Sequence, residues 1–319
     1  MTIRVGLVTT WGTACGIAEH SAVLKQSVER LDPLVELVPM PEALDPDALE
    51  GSLAVMDLLH LNYHAALHSR WTPERIARVQ SLGIPVTVTY HDTGVPNSEQ
   101  CQRIVDAADA TIVHEPFDDL PAHKAVYIRM GVPDWPDTSI RQLRFRQRPV
   151  LGTVGFPFPW KNYDELCRVT AAAGWALQLI APNHTASDKM RWESFNQHVE
   201  VYDFVNRREA VELLAGCDAT AFCYTCANTG QSGAILQGIA ARKPVIAFSS
   251  AICRQFRALY MDRLGRDTIR WADSFDHVRE MLQTIQPARF DAGIVALAEQ
   301  ESWYRVAGRY LGIWRSLRT

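Results

Sequence analysis

The chain has 319 residues with 32 Lys and Arg against 36 Asp and Glu, a formal net charge of −4. That length predicts two domains able to bury a large core, and the charge gives no reason to expect a polyanion such as nucleic acid as partner. Apolar content of 47% and charged content of 21% fit a soluble globular protein. Seven cysteines, an odd number in a long chain, argue against a disulfide framework and for a reducing compartment. Cys223 and Cys226 form a C-x-x-C, but no second pair completes a zinc site, so coincidence is the better reading. The opening MTIRVGLVTTWG reads as a strand rather than a signal peptide, and no apolar run reaches about 18 residues. The expectation is a cytoplasmic protein that touches a membrane surface at most.

Strand and helix patterns alternate along nearly the whole chain. Ile3–Val8 reads as a first strand, followed by the loop WGTACG and a helix from about Ile17. Val35–Met40 and Asp57–Tyr63 are the next strands. Thr72 then caps a helix opened by Pro73. Ile84–Thr89 is a fourth strand, with a helix over Glu99–Ala108, and Ala110–Val113 and Ala125–Arg129 complete the block. Such alternation predicts a parallel, doubly wound sheet, which binds ligands beyond the carboxyl ends of its strands. Those ends are polar here: Thr9 and Thr10, Asn62 to His64, His91 with Asp92, and His114 with Glu115. Any one of them is ordinary at a solvent boundary, but four in succession point to one wall of a binding cleft.

Gly131 to Pro149 breaks the rhythm with Pro133, Pro136 and the Arg-rich IRQLRFRQR, and reads as an interdomain connection with a solvated face. A second alternating block follows. Its strands are Val150–Val154, Leu177–Ala181, Glu200–Val205, Ala219–Cys223 and Val245–Phe248. Helices are expected from Asp164, over Arg208–Ala215, around Phe275–Ile285 and at the C-terminus. Trp303, Val306, Ala307, Tyr310, Leu311 and Trp314 give that last helix an apolar stripe. The predicted domains are 1–135, a linker 136–149, and 150–301, with helix 302–319 packing back on the first. Between the strands Ala219–Cys223 and Val245–Phe248, ANTGQSGAILQ reads as a Gly- and Ser-rich turn opening a helix near Gln231–Ser232. Unpaired N–H groups and the helix dipole at such a start suit phosphate.

Several separate segments together resemble the GT-B glycosyltransferases, most closely the retaining family 4 group. They are TTWGTACGIAEH, DLLHLNYH, IPVTVTYHDT, VYIRMGVP, VGFPFPWKN, ILQGIAARKPVIA and SWYRVAGRYLGIW, in that order. The resemblance implies an α/β fold of two Rossmann-like domains facing across a cleft. It also implies sugar transfer from a nucleotide-diphosphate donor to an acceptor hydroxyl, with retention, no metal and no bound cofactor. By position, Lys161 matches the family's diphosphate-binding lysine, and Gln231, Ser232 and Gly233 would supply N–H donors. Gly12 and Gly16 match its glycine-rich loop, where close backbone approach favours glycine. His91 matches a histidine near the donor sugar, with Asp92 beside it, and Val205 and Asn206 lie where the base is met. Tyr63, His64 and His114 fall on the acceptor side. The acceptor itself stays open: lipid-linked saccharide, metabolite, protein or modified nucleic acid.

Three positions depart from the family pattern. Aligning on Lys243-Pro244-Val245-Ile246 puts Thr229 and Gln237 where the family has two glutamates, and Phe156 where it has a second diphosphate cation. Gln237 can still meet ribose hydroxyls through its amide. Loss of the two acids and the arginine keeps open a non-catalytic GT-B scaffold as the alternative function. A metallohydrolase built on His60, His64, His68, His91 and Asp92 is disfavoured, because residues four apart on a strand lie about 13 Å from each other.

Overall fold

The computed structural model describes residues 2–13, 15–41, 51–64, 67–68, 70–91, 99–114, 124–134, 147–225, 232–250, 268–286 and 290–318, the side chains of 41 and 99–101 excepted. In chain order its elements begin β1 (Ile3–Thr9), α1 (Gly16–Leu31), β2 (Val35–Pro41), β3 (Leu58–Tyr63), α2 (Pro73–Ser81) and β4 (Val86–Tyr90). Then come α3 (Glu99–Ala107), β5 (Ala110–Val113), β6 (Ala125–Tyr127), β7 (Val150–Val154), α4 (Tyr163–Ala173) and β8 (Ala176–Ile180). Next are α5 (Ala186–Phe195), β9 (Val199–Tyr202), α6 (Arg207–Ala215), β10 (Ala219–Phe222) and α7 (Gly233–Ala240). The chain closes with β11 (Val245–Phe248), β12 (Ile269–Ala272), α8 (Phe275–Thr284), α9 (Ala292–Gln300) and α10 (Trp303–Ser316). It divides into two compact units, Met1–Gly131 with Trp303–Thr319, and Val132–Ser302. The connection read over 136–149 lies mostly outside the described residues. Among the described residues no helix is long and apolar enough to cross a membrane.

The first unit holds a six-stranded sheet in the order β2-β1-β3-β4-β5-β6, paired in parallel throughout. Every residue of β3, β4 and β5 is buried, as expected of parallel strands covered on both faces. On one side Leu59, Leu61, Val86 and Val88 pack with Trp71, Ile76 and Val79. On the other, α10 lays Trp303, Val306, Ala307, Tyr310, Leu311 and Trp314 against Val5, Leu7, Leu24 and Val28. The apolar stripe read from 303 to 314 is therefore core of the first unit, although it is the last helix in sequence. Thr72 caps α2 through a 3.3 Å bond from the Arg75 N–H. Its neighbour Pro73 fills the first helical turn, where a missing N–H costs nothing.

The second unit repeats the architecture in the order β12-β11-β10-β7-β8-β9, again parallel. Three of its elements go beyond the sequence reading: α5, β12 and α9. Helix α5 (ASDKMRWESF) buries only Trp192, so it shows no apolar period to read. Its signal is instead the capping box in which Thr185 and Asp188 satisfy each other's backbone N–H groups. Helix α9 is apolar nearly all round and is opened by Asp291, which accepts from Gly293 and Ile294. The strand read as Glu200–Val205 ends at Tyr202, and the one read as Ala125–Arg129 ends at Tyr127.

In each sheet the strand order reverses beside the unit's first strand. The reversal falls between β1 and β3 in the first unit and between β7 and β10 in the second. Loops leaving the carboxyl ends of strands at such a point diverge to opposite faces and leave a crevice for a ligand. Gly12 lies in the loop after β1, Gly16 at the start of the helix that follows it, and Lys161 in the loop after β7.

Candidate functional site

In the second unit the loop after β7 is folded around Lys161. Gly155 has φ 134°, a conformation for which only glycine is suited, and donates its N–H to the Ile180 carbonyl. A single 3₁₀ turn, Pro159–Lys161, follows, closed by Asn162 in the left-handed region at φ 58°. Asn162 holds the turn down by donating its amide to the Cys223 carbonyl at 2.7 Å, and Tyr163 donates its hydroxyl to the Gly155 carbonyl at 2.7 Å. Thr225 donates its N–H to the Trp160 carbonyl at 2.9 Å. The loops after β7 and β10 are thus stitched together across the strand-order reversal. Lys161 is buried, its Nζ 5.4 Å from the Trp160 ring centre and 5.2 Å from that of Tyr224. Two aromatic faces at that range favour a cation. Phe158 stacks on Trp160 with ring centres 5.5 Å apart, and Phe156 packs beside Phe158.

The loop after β10 leads to α7. Ser232 caps that helix, accepting from the Ile235 N–H, and Gly233 is its exposed first residue. One turn on, the Gln237 amide oxygen is buried and meets no hydrogen-bond donor among the described residues. Thr229 and Gln231 lie outside the described residues. Val205 is half-buried and lies past the end of β9 rather than on it. Asn206 is exposed and committed to structure: its Oδ1 caps α6 by accepting from the Glu209 N–H at 2.9 Å.

In the first unit, Gly12 is exposed with φ 77°, a turn that a side chain would strain, and Gly16 is the exposed first residue of α1. Cys15 stands between them as the helix N-cap. Burial opposes its ionisation. Hydrogen bonds to Thr10, to the Ala18 and Ile17 backbone and to Thr13 outweigh that and lower the thiol pKa.

His91, at the end of β4, and His114, at the end of β5, converge with a residue that the sequence reading passed over, His20 of α1. Ring centres are 4.8 Å apart for His20–His91, 5.2 Å for His20–His114 and 5.0 Å for His91–His114. Trp303 closes the back of the cluster, its ring 4.9 Å from that of His20. The protonation of two rings follows from their partners. The Ser21 hydroxyl donates to the Ile17 carbonyl, so it accepts from the Asn62 amide at 2.6 Å. The Asn62 carbonyl oxygen therefore faces His91, whose Nε2 must carry the proton across 3.1 Å. His114 likewise donates from Nδ1 to the Ile128 carbonyl at 2.8 Å. Burial, and then the neighbouring His114, His64, His60 and His68, hold the His91 pKa well below its usual value. Burial, opposed by the bond to Ile128, lowers that of His114 to about 4.

Of the expected acceptor-side residues, Tyr63 is fully buried in the core, stacked on Tyr90, and presents nothing to a ligand. His114 is buried within the histidine cluster, and His64 is partly exposed beyond β3, its backbone N–H donating to Nδ1 of His68. His60, His64 and His68 do not form one constellation. His60 sits inside the sheet, between Thr87 at 2.7 Å and Thr89 at 3.0 Å. Asp92, Glu115 and Cys226 lie outside the described residues.

No protein-family model matches the sequence, and no curated protein sequence matches it. Solved structures do. Anabaena Alr3699/HepE, crystallised in complex with UDP and glucose, shares 14% identity at a TM-score of 0.67, over 98% of this chain and 100% of that one. AviGT4, a glycosyltransferase involved in avilamycin A biosynthesis, shares 17% identity at a TM-score of 0.62, over 99% and 98%. The lipopolysaccharide outer core galactosyltransferase WaaB shares 10% identity at a TM-score of 0.62, over 97% and 99%. With two six-stranded parallel sheets in tandem and likeness over the full length of these transferases, the chain has the GT-B glycosyltransferase fold.

Proposed function

We propose that the protein transfers a sugar from a nucleoside-diphosphate donor to an acceptor hydroxyl, with retention at the anomeric carbon and no metal or bound cofactor required. The observation that carries this reading is Lys161, buried in an ordered turn at the strand-order reversal of a GT-B domain. In the reaction the bond from the anomeric carbon to the diphosphate oxygen breaks as the acceptor oxygen bonds to the same face. The acceptor proton passes to the departing diphosphate, which leaves with the electron pair. Charge grows on that diphosphate in the transition state, and a cation and N–H donors already in place stabilise it there. Lys161 is assigned the cation's role, and the N-terminus of α7 at Ser232 and Gly233, with Gln231 before it, the donors'. Gln237 is assigned to the ribose, supported by its buried amide oxygen, which meets no donor among the described residues. Val205 and Asn206 are assigned to the base through their backbone, since the Asn206 side chain is engaged. By resemblance, Gly12 and Gly16 meet phosphate or the reacting sugar, His91 and Asp92 the donor sugar, Thr229 the donor hydroxyls, and His64 the acceptor.

The test is calorimetry of the full chain against nucleoside diphosphates and nucleotide sugars, followed by mass spectrometry of products with candidate acceptors. Binding of one nucleotide, turnover, and loss of both in Lys161→Ala are expected. A folded sample that binds no nucleotide would sink the reading. Binding without turnover on any acceptor would leave a GT-B scaffold in its place.

A further inference from the structure

We propose that His20, His91 and His114 form a three-imidazole site for a divalent late transition-metal ion, of which zinc is the reference case. One donor nitrogen from each ring lies within 4.8 Å of those of the other two. Three observations beyond proximity carry the proposal. First, the outer partners set the rings as metal ligands are set. Nδ1 of His114 donates to the Ile128 carbonyl and Nε2 of His91 to the Asn62 carbonyl oxygen, so each ring keeps its remaining nitrogen as a lone pair. A histidine that ligates metal characteristically gives its other N–H to such a partner. Second, His114 is 2% exposed and its Nε2 meets no hydrogen-bond partner among the described residues. A buried acceptor left in that state costs roughly 1–3 kcal/mol unless something fills it. Third, among the described residues no acidic side chain belongs to the cluster, and the donors it brings together are all imidazole. That set suits zinc, copper, nickel or iron and not magnesium or calcium, which take oxygen.

The geometry needs little adjustment. Bond lengths of 2.0–2.1 Å to a tetrahedral ion place nitrogens about 3.4 Å apart, so the widest separation must close by ~1.4 Å. His91 is partly exposed at a strand end while His20 and His114 are buried, so it is the ligand with the most room to adjust. Three protein ligands leave the fourth position of a tetrahedral ion to water or a small anion. One consequence rests on the transferase reading: an ion held by His91 takes that ring away from the donor sugar and inhibits transfer. The site itself stands without that reading.

The experiment is titration of tag-free, chelator-treated full-length protein with Zn²⁺ by calorimetry and with Co²⁺ by visible absorption. One equivalent is expected, with the intense d–d bands of a four-coordinate cobalt ion. In His91→Ala, the least buried of the three changes, affinity is expected to fall by 100-fold or more. Asn62→Ala, which removes only the partner of His91, is expected to cost on the order of 10–100-fold. Circular dichroism confirms that each sample is folded. Failure of folded wild-type protein to bind, or binding that His91→Ala and His114→Gln both leave unchanged, overturns the proposal. Neither readout involves nucleotide, so this failure is separate from that of the transferase reading.

Discussion

A Cβ placed on Gly155 would lie 1.9 Å from the Nζ of Lys161, so the ammonium occupies the space that a side chain would need. The glycine also sits at φ 134°, where an L-residue is strained by roughly 1–3 kcal/mol. Gly155→Ala is therefore expected to evict the lysine from its aromatic seat while the sheet behind it stays folded. Losing one charge-assisted contact to a diphosphate costs about 2–3 kcal/mol, or some 30- to 150-fold in affinity. Calorimetry with UDP and GDP should show Gly155→Ala and Lys161→Ala weakened alike, with the alanine at 155 alone lowering the unfolding free energy. Unchanged nucleotide affinity in folded Gly155→Ala would show that the lysine does not hold the diphosphate.

Gln237 invites the opposite kind of test. Its amide oxygen is buried and meets no donor among the described residues, a state that costs the free protein ~1–3 kcal/mol. Gln237→Leu is expected to leave the nucleotide-free protein as stable as wild type, or more stable. The same change should weaken nucleoside diphosphate binding by ~1–2 kcal/mol, because a ribose hydroxyl loses its acceptor. Thermal melting with and without saturating nucleotide reads both effects: the free midpoint holds or rises while the ligand-induced increase shrinks. Equal shifts in the two proteins would remove Gln237 from the ribose site.

The scaffold was legible where burial leaves a period. Strands β3, β4 and β5, buried along their whole length, stood out as strands in the alternation, and the apolar stripe from Trp303 to Trp314 as a helix packing back on the first domain. Helix α5 escaped because it buries a single tryptophan, and its boundary lies in a capping box instead. The turn after β7 was legible through VGFPFPWKN, but not the reason for its glycine, which is a clash between residues six apart. His20 was illegible for a deeper reason. In sequence it is one polar residue on an amphipathic helix, and only the order of the sheet brings α1 beside the ends of β4 and β5. Asn62 showed as a polar strand end. Its part in fixing the His91 proton depends on Ser21 and Ile17, which a strand pattern cannot reveal.

His60 makes stability sensitive to acid. Burial lowers its pKa to about 3, from an ordinary value of 6.5, although its side-chain hydrogen bonding works the other way. Between those values the unfolded chain binds a proton that the native ring refuses, so stability rises with pH across the window and is lost as pH falls below about 6.5. From pH 7 to pH 5 one such histidine withdraws ~2 kcal/mol. His68 and His114, each lowered to about 4, act in the same direction. His60→Gln can keep hydrogen bonds to Thr87 and Thr89, and should remove about that much of the loss. Urea midpoints at pH 7, 6 and 5 measure it. A variant whose stability falls as steeply as wild type would place the acid sensitivity elsewhere.

Cys15 gives the glycine-rich loop a chemical reporter. Of the described thiols it alone is partly exposed; Cys167, Cys217 and Cys223 are buried, and burial pushes the thiol of Cys167 up to about 12. Burial also works against Cys15, but its hydrogen bonds to Thr10, to the first N–H groups of α1 and to Thr13 bring its pKa below the usual value. The thiolate is the reactive form, so iodoacetamide should label Cys15 before the other three, as peptide mass spectrometry would show. Gly12 and Gly16 flank it, and a phosphate or sugar meeting that loop shields the sulfur. Saturating nucleotide sugar is accordingly expected to slow labelling by several-fold or more, while Thr10→Val, which removes one stabilising bond, slows it without any ligand. Labelling of Cys15 at the same rate with and without a nucleotide sugar shown to bind would mean that the loop after β1 takes no part in holding the donor.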